Sequence, residues 1–286
     1  MEETCFFERK RPMKLIGRSM VPLILGGGYD IPAGGVRLSW CAGISQFFWT
    51  PIWPKMTVGI REILRCADRS SITLITGSPF PSPRLGSLLL PRYLAVLGLS
   101  YFDVWLQLWT KDVAAVRQMA NWAAAQKAKG RIKLFGISSH RREVLQEALC
   151  LKDIDIIMLR YSAAQRSAEK ILNSHAEELS NKIVISFTST KWGYLISRQP
   201  GWPIENPIPS AADCYAYALS NPNIDSVLIG PSDEKELLAA FDFFDYTPAI
   251  WSERRSMLER YGDFIYSEFG ISNTYRERRK FGVLPR

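Results

Sequence analysis

"YFDVWLQLWTKDVAAVRQMANWAAAQKAKGRIKLFGISSH", residues 101–140, sets the reading of the whole chain. It opens on an apolar run of strand length, 101–108. Asp112 then stands where a helix takes its N-cap, and Val113, Val116, Ala120, Ala123 and Ala124 recur behind it at helical spacing. Gly130 follows as a residue suited to a left-handed C-terminal turn, and a second apolar run starts at Ile132. Ser139 is predicted to cap the next helix, with Val144, Leu145, Ala148 and Leu149 as its buried face. Two strands joined through a helix run parallel.

The same unit recurs outward in both directions. Apolar runs at 21–25, 45–48, 72–76, 101–108, 132–135, 154–159, 183–187 and 226–229 give eight strands. "ITLIT", "KIVISF" and "DSVLIG" carry near-continuous apolar runs, as strands buried on both faces do. Ser232 is predicted to cap "DEKELLAAF", whose acidic first turn complements the helix dipole. No linker or composition break divides the chain, so the sequence predicts a single (β/α)8 barrel domain over residues 1–286, with a doubly wound open sheet as the structural competitor. The barrel is placed at about 17–244 and a C-terminal helix and tail at about 246–286. Met257, Leu258, Tyr261, Phe264 and Ile265 share one face of that helix, which reads either as a lid or as a docking helix with a basic end.

Composition narrows the partners. The 286 residues hold 36 Lys and Arg against 28 Asp and Glu, a formal charge of +8. The basic residues are spread along the chain and thicken only in 8–11 and 275–280, which reads as solvated surface rather than a nucleic-acid site. Five widely spaced cysteines, with no CxxC pair and two histidines, predict a reduced, cytoplasmic protein with no bound metal. The longest uncharged stretch, 38–54, contains two prolines and polar residues and is a poor membrane span. A small organic substrate is the expected partner, an anionic one if the positive surplus serves the mouth of the barrel, and the oligomeric state is left open.

Residues 101–140 also resemble the middle of an aldo/keto reductase, in which a strand of the type D-hydrophobic-Y-L-hydrophobic-H-W precedes a helix and then "GKIRxIGVSNF". Further segments resemble the family in the same order: "GRSMVPLILGGG" its opening strand, "GISQFFWTPIW" its "GINFFDTAPSY", "IDIIMLRYSAAQR" its sixth strand, and "SNPNIDSVLIGPSDEKELLAAF" its last βα unit. The resemblance implies a barrel that transfers a hydride from a nicotinamide, with a Tyr acid supported by Lys, Asp and His. The matched positions hold other residues. Phe48 stands for the Asp, Trp53 for the Tyr, Gly77 for the Lys and Leu108 for the His. An indole N–H only donates hydrogen bonds and supplies no proton at neutral pH. Losing one positioned general acid alone lowers a rate by about 10²–10⁴.

The positions that the resemblance assigns to the cofactor are altered as well. Ser138 is kept, but Ser139 replaces an Asn and Met158 a Gln that would hold the carboxamide. Phe187 keeps an aromatic stacking position, and Gly230 and Ser232 keep a pyrophosphate-binding turn. Asp233 and Glu234 stand where a basic residue would meet the 2′-phosphate, and the closing Glu–Asn pair is reduced to Glu236 and Ala240. The expectation is that no cofactor is used, with NADP(H) kept open.

Reacting groups in a barrel lie at the C-terminal strand ends. There the sequence offers His140, which titrates near neutrality, Arg160 as an anion clamp, Tyr161 as a substitute acid, and Lys111 and Lys191. Each has a plain structural alternative: a solvated helix-start histidine, a rim ion pair, surface lysines. Phe48, Trp53, Leu108, Trp109 and Trp192, with Trp49, suggest an aromatic mouth. The preferred reading is an enzyme repurposed for non-redox acid/base work, namely elimination, isomerisation or cyclisation. An atypical NAD(P)-dependent oxidoreductase and a non-catalytic binding subunit are the alternatives.

Overall fold

Strands that are apolar on both faces need a cover on both sides, and the chain supplies it by closing the sheet on itself and wrapping it in helices. The computed structural model describes residues 14, 16, 17, 19 and 21–269. All eight expected strands form: β1 (Leu23–Gly26), β2 (Gln46–Phe48), β3 (Thr73–Ser78), β4 (Phe102–Gln107), β5 (Ile132–Ser138), β6 (Ile156–Arg160), β7 (Ile183–Phe187) and β8 (Ser226–Ile229). Each pairs in parallel with the next, and β8 closes on β1 with Leu23 opposite Val227, which excludes the open sheet. β5 runs on to Ser138 through Gly136, where a side chain would collide with Leu106 and Ile156 on the flanking strands.

Alternation along the strands makes two apolar layers. Ile24, Ile75, Val104, Leu106, Ile156, Met158 and Ile185 fill the barrel, while Leu25, Leu74, Trp105, Ile157 and Val184 meet the helices. Those helices are α1 (Ala33–Cys41), α2 (Pro54–Cys66), α3 (Pro83–Leu97), α4 (Val113–Ala128), α5 (Arg142–Cys150), α6 (Glu169–Ser174), α7 (Ala176–Leu179), α8 (Ala211–Ser220), α9 (Glu234–Phe241) and α10 (Pro248–Phe269).

Asp112 caps α4 as expected, accepting from the Ala114 N–H at 2.9 Å, and Gly130 takes φ +67° beyond its end. Two other expected caps are corrected. Arg141 occupies the N-cap position of α5, while the Ser139 hydroxyl donates to the Thr110 carbonyl at 2.7 Å and accepts from the Arg141 N–H at 3.0 Å. It therefore ties two neighbouring loops of the mouth. At α9 the cap is Asp233, which accepts from the Glu236 N–H at 2.8 Å, and Ser232 lies one residue outside.

The C-terminal segment is a docking helix. α10 buries Met257, Leu258, Tyr261 and Ile265, and it seats against the long loop after β7. There the Tyr261 hydroxyl donates to the Ser197 carbonyl at 2.6 Å and accepts from the Gln199 N–H at 3.1 Å, with the Trp202 ring 4.7 Å away. The basic clusters at 8–11 and 275–280 lie outside the described residues. Among the described residues no helix is long and apolar enough to cross a membrane.

Candidate functional site

The positions matched to the reductase tetrad form an apolar floor. Phe48 and Leu108 are buried at the ends of β2 and β4, in the cluster that fills the barrel. Trp53 precedes α2, packs edge-on against Phe48 with ring centres 5.7 Å apart, and lies over the backbone of Gly27. At Gly77 any side chain would overlap the Leu106 carbonyl oxygen, so β3 has no room for a lysine there.

The polar groups collect on the other side of the mouth, at the ends of β5, β6 and β7. Arg160 ends β6 opposite Phe187 and is half-buried. Its guanidinium lies 4.5 Å over the Trp192 ring, a cation–π arrangement, and its Nη2 is 3.3 Å from His140 Nε2. Its Nε is buried without an acceptor, and among the described residues no carboxylate comes within ion-pair range of it. Among the described residues this arginine therefore lacks the rim ion pair considered from sequence.

His140 sits at the exposed rim with one face tilted over Phe187, ring centres 5.5 Å apart. Partial removal from water, and then the Arg160 charge, lower its pKa to about 4. It is neutral at physiological pH, and Nε2 is available to accept the Arg160 N–H.

Lys191 is buried, 1% exposed, against the expectation of a surface lysine. Burial first, and Arg160 second, lower its pKa to about 8. The turn that turns it inward is strained: Thr188, Lys191 and Trp192 have φ of 57°, 48° and 53°, followed by Gly193 at 86°. Left-handed backbone raises the energy of a non-glycine residue by roughly 1–2 kcal/mol. The turn is held by the Lys191 N–H to the Thr188 carbonyl at 2.8 Å and the Leu195 N–H to the Thr190 carbonyl at 3.2 Å, and α10 supports the loop beyond. Strain of this kind concentrates at functional sites. Only Gly193 signals it in the sequence; nothing about Thr188, Lys191 or Trp192 as residue types announces a positive φ.

Other expected members lie elsewhere. Tyr161 is turned outward, buried beneath α6, its hydroxyl donating to Glu169 at 2.8 Å and its ring stacked on Tyr217 at 5.6 Å. Burial foremost raises its pKa, and it does not join the Arg160 group. Lys111 is exposed, its carbonyl accepting from Arg141. Trp49 belongs to the outer layer, stacked on Phe102 at 6.1 Å. Trp109 stands out of the mouth, 57% exposed, with φ 51°. Ser138 and Phe187 are buried at the ends of β5 and β7.

The cofactor positions inherited from the resemblance fit a phosphorylated dinucleotide poorly. At β8–α9 the Ser232 N–H and hydroxyl both donate to Glu236 Oε2, at 2.7 and 2.8 Å, and the Asp233 carboxylate accepts from the Glu236 N–H at 2.8 Å. Carboxylates thus hold the donors that a phosphate would use. Gly230 is exposed beside them, its nearest would-be neighbour the Tyr29 ring. Beside Phe187, the Arg160 guanidinium, 6.0 Å from the ring centre, opposes the positively charged oxidised nicotinamide ring. Among the described residues no group of three or more His, Cys, Asp or Glu is placed to hold a metal.

Two cavities lie away from the mouth. One of about 570 Å³, lined by Arg61, Arg65, Arg69, Val96 and Tyr101, sits where α2 and α3 end, at the opposite end of the barrel. The other, about 310 Å³, lies between α8 and α10 beside Asp213, Tyr246 and Arg254.

No protein-family model matches the chain. No curated protein matches it either. Solved structures do. The chain superposes on the holo form of the aldo-keto reductase AKR11C1 from Bacillus halodurans at 18% identity, covering 87% of this chain and 95% of that one, with a TM-score of 0.71. The glycerol dehydrogenase AKR11B4 from Gluconobacter oxydans matches at 13% identity over 96% and 99% of the two chains, with a TM-score of 0.67. MGS-M4, an aldo-keto reductase from a Medee basin deep-sea metagenome library, matches at 15% identity over 83% and 91%, with a TM-score of 0.65. The likeness is one of fold: an aldo-keto reductase-type (β/α)8 barrel with a C-terminal helix.

Proposed function

We propose that this aldo-keto reductase-type barrel binds a small organic anion at its mouth and moves protons on it without hydride transfer from a nicotinamide. The observation that carries the reading is an arginine at the mouth that no carboxylate among the described residues neutralises, whose charge, after burial, helps lower the pKa of the buried Lys191 to about 8. Arg160 would hold the anionic group, and Trp192 and His140 would fix the plane of its guanidinium. Lys191 would be the acid/base group, since transfer is most efficient when the pKa lies near the working pH. His140, with a pKa of about 4, is a weak base there and acts as a positioning residue. At the positions that the resemblance assigns to the family's acid, its support and its substrate-orienting histidine stand Phe48, Trp53, Gly77 and Leu108, none of which can give a proton to a carbonyl that receives hydride.

A hydride-transfer reading has the fold neighbours' names behind it, a glycerol dehydrogenase among them. The self-capped α9 and the Arg160 cation beside Phe187 weigh against it. The test is exchange of carbon-bound hydrogen in a panel of small oxo- and hydroxy-carboxylates dissolved in D2O, followed by proton NMR. Exchange that disappears in Lys191→Met and Arg160→Gln supports the reading. NADPH oxidation with a carbonyl panel, and no exchange, overturns it.

A further inference from the structure

The mouth has a second pole opposite its cations. Ile52, Phe80 and Trp109 are 77%, 54% and 57% exposed, and they come from the three consecutive loops that follow β2, β3 and β4. Isolated exposed apolar residues are ordinary, but neighbouring loops on one face of a barrel place these three along one arc of the rim. The loop segments 49–53 and 79–82 hold no ionisable side chain, and Pro51, Pro79 and Pro81 restrict their backbones. Trp109 is presented to solvent from a left-handed backbone, φ 51°, a conformation disfavoured for a bulky residue. The loops after β2 and β3 are thus stiff, uncharged at their tips and aromatic, while Trp109 stands in a loop that also carries the exposed Lys111 and Asp112, and the half-buried Arg160 lies across the mouth at the end of β6.

We infer that the ligand of the mouth is an amphiphile, an alkyl or aryl chain with an anionic head, the head on Arg160 and the apolar body along Trp109, Phe80 and Ile52. The inference rests on the anion reading of Arg160 given above and adds the substrate class to it. Charge complementarity selects the head: Arg160 lacks a carboxylate partner among the described residues, and its Nε is buried without an acceptor. Apolar area selects the body, since covering these side chains removes exposed hydrocarbon from water. Carboxylate and phosphate monoester heads share the required chemistry, two or more anionic oxygens that an arginine can meet in parallel.

The test is calorimetric titration of the full chain with acetate, hexanoate, octanoate, octyl phosphate and octanol, each kept below its micellar concentration. Affinity is expected to rise about threefold to fourfold per added methylene, the increment that hydrocarbon burial gives. Octanoate or octyl phosphate should bind more than tenfold tighter than octanol, and the tighter of the two identifies the head. Arg160→Gln should bring the acids down to the alcohol, with Arg160→Lys intermediate. Trp109→Ala combined with Phe80→Ser, both at exposed positions, should flatten the dependence on chain length and leave acetate unchanged. If acetate and octanoate bind equally, the amphiphile is overturned while the anion site survives. If octanol matches octanoate and ignores Arg160→Gln, both fall. A ligand-free dimer that dissociates on Trp109→Ala would overturn the inference in another way, by assigning the arc to a second copy of the chain.

Discussion

The Arg160 guanidinium lies 4.5 Å over the Trp192 ring, so the cation of β6 is held flat by a residue of the strained turn after β7. A cation–π contact of this kind contributes about 0.5–2 kcal/mol, depending on how far it is desolvated. Trp192→Leu keeps an apolar cover but loses the ring quadrupole. Anion affinity should fall by about twofold to thirtyfold, the equivalent of that energy where the ring holds the arginine ready for the anion, and the ligand-free protein should lose no more stability than the same energy, as a thermal-shift series with and without ligand would read. Unchanged affinity would mean that the ring does not position the arginine.

Lys191 sets a pH dependence of binding. Its folded pKa is about 8, below the ordinary 10.5, so the ammonium is charged at neutral pH and loses its proton as the pH rises through 8. Anion affinity measured from pH 6 to 10 should hold steady and then decline above about 8, and Lys191→Met should remove the decline. The same shift has a stability consequence. Between about 8 and 10.5 the unfolded chain holds this proton more tightly than the folded one, so this residue's contribution to stability increases with pH across that window.

His140 acts in the acidic range. Its folded pKa of about 4 lies below the ordinary 6.5, so the folded state favours the neutral ring. As the pH falls from about 6.5 to about 4 the unfolded chain is protonated first, and the stability associated with this residue is lost over that window. Melting temperatures of wild type and His140→Gln, compared from pH 7.5 to 4, should show the wild type declining more. Parallel curves would contradict a depressed pKa.

Gly77 leaves β3 no room for a lysine. Because a Cβ there would overlap the Leu106 carbonyl oxygen, Gly77→Ala should lower stability by about 1–3 kcal/mol, the usual range for overpacking. Urea denaturation reads this directly. Gly77→Lys should destabilise at least as much and should restore no carbonyl reductase activity, even beside Trp53→Tyr.

Tyr261 carries the support for the β7 loop. Its hydroxyl serves both the Ser197 carbonyl and the Gln199 N–H, and Tyr261→Phe leaves both without it. A loss of about 1–3 kcal/mol in stability is expected from groups left unsatisfied in this way. Faster amide exchange across residues 188–199 should accompany it if α10 steadies the turn that holds Lys191.

The fold was legible because parallel strands in a barrel are apolar on both faces and announce themselves as runs. Every one of the eight was placed, with β5 cut short at Gly136, a glycine that serves close strand contact rather than a stop. Caps were less legible. Ser139 and Ser232 have the right residue type, but the helices begin one or two residues later, and their hydroxyls bond to Thr110 and Glu236 instead. Within the mouth, Arg160, His140 and Trp192 come together as their positions at strand ends suggest. Tyr161 does not, because the residue after Arg160 alternates to the outer face. The burial of Lys191 is not legible in the sequence, since it accompanies left-handed backbone at Thr188, Lys191 and Trp192 that no residue preference encodes. The exposed arc of Ile52, Phe80 and Trp109 falls in loops, where sequence periodicity carries no information on which way a side chain points.

The central claim is that the mouth has exchanged a nicotinamide for an organic anion, and fluorescence titration of the purified chain with NADPH and NADH tests it most directly. The account predicts no saturable change at micromolar nucleotide. Saturable micromolar binding, weakened by substitutions at Ser138 or Phe187 and accompanied by carbonyl-dependent oxidation, would contradict it.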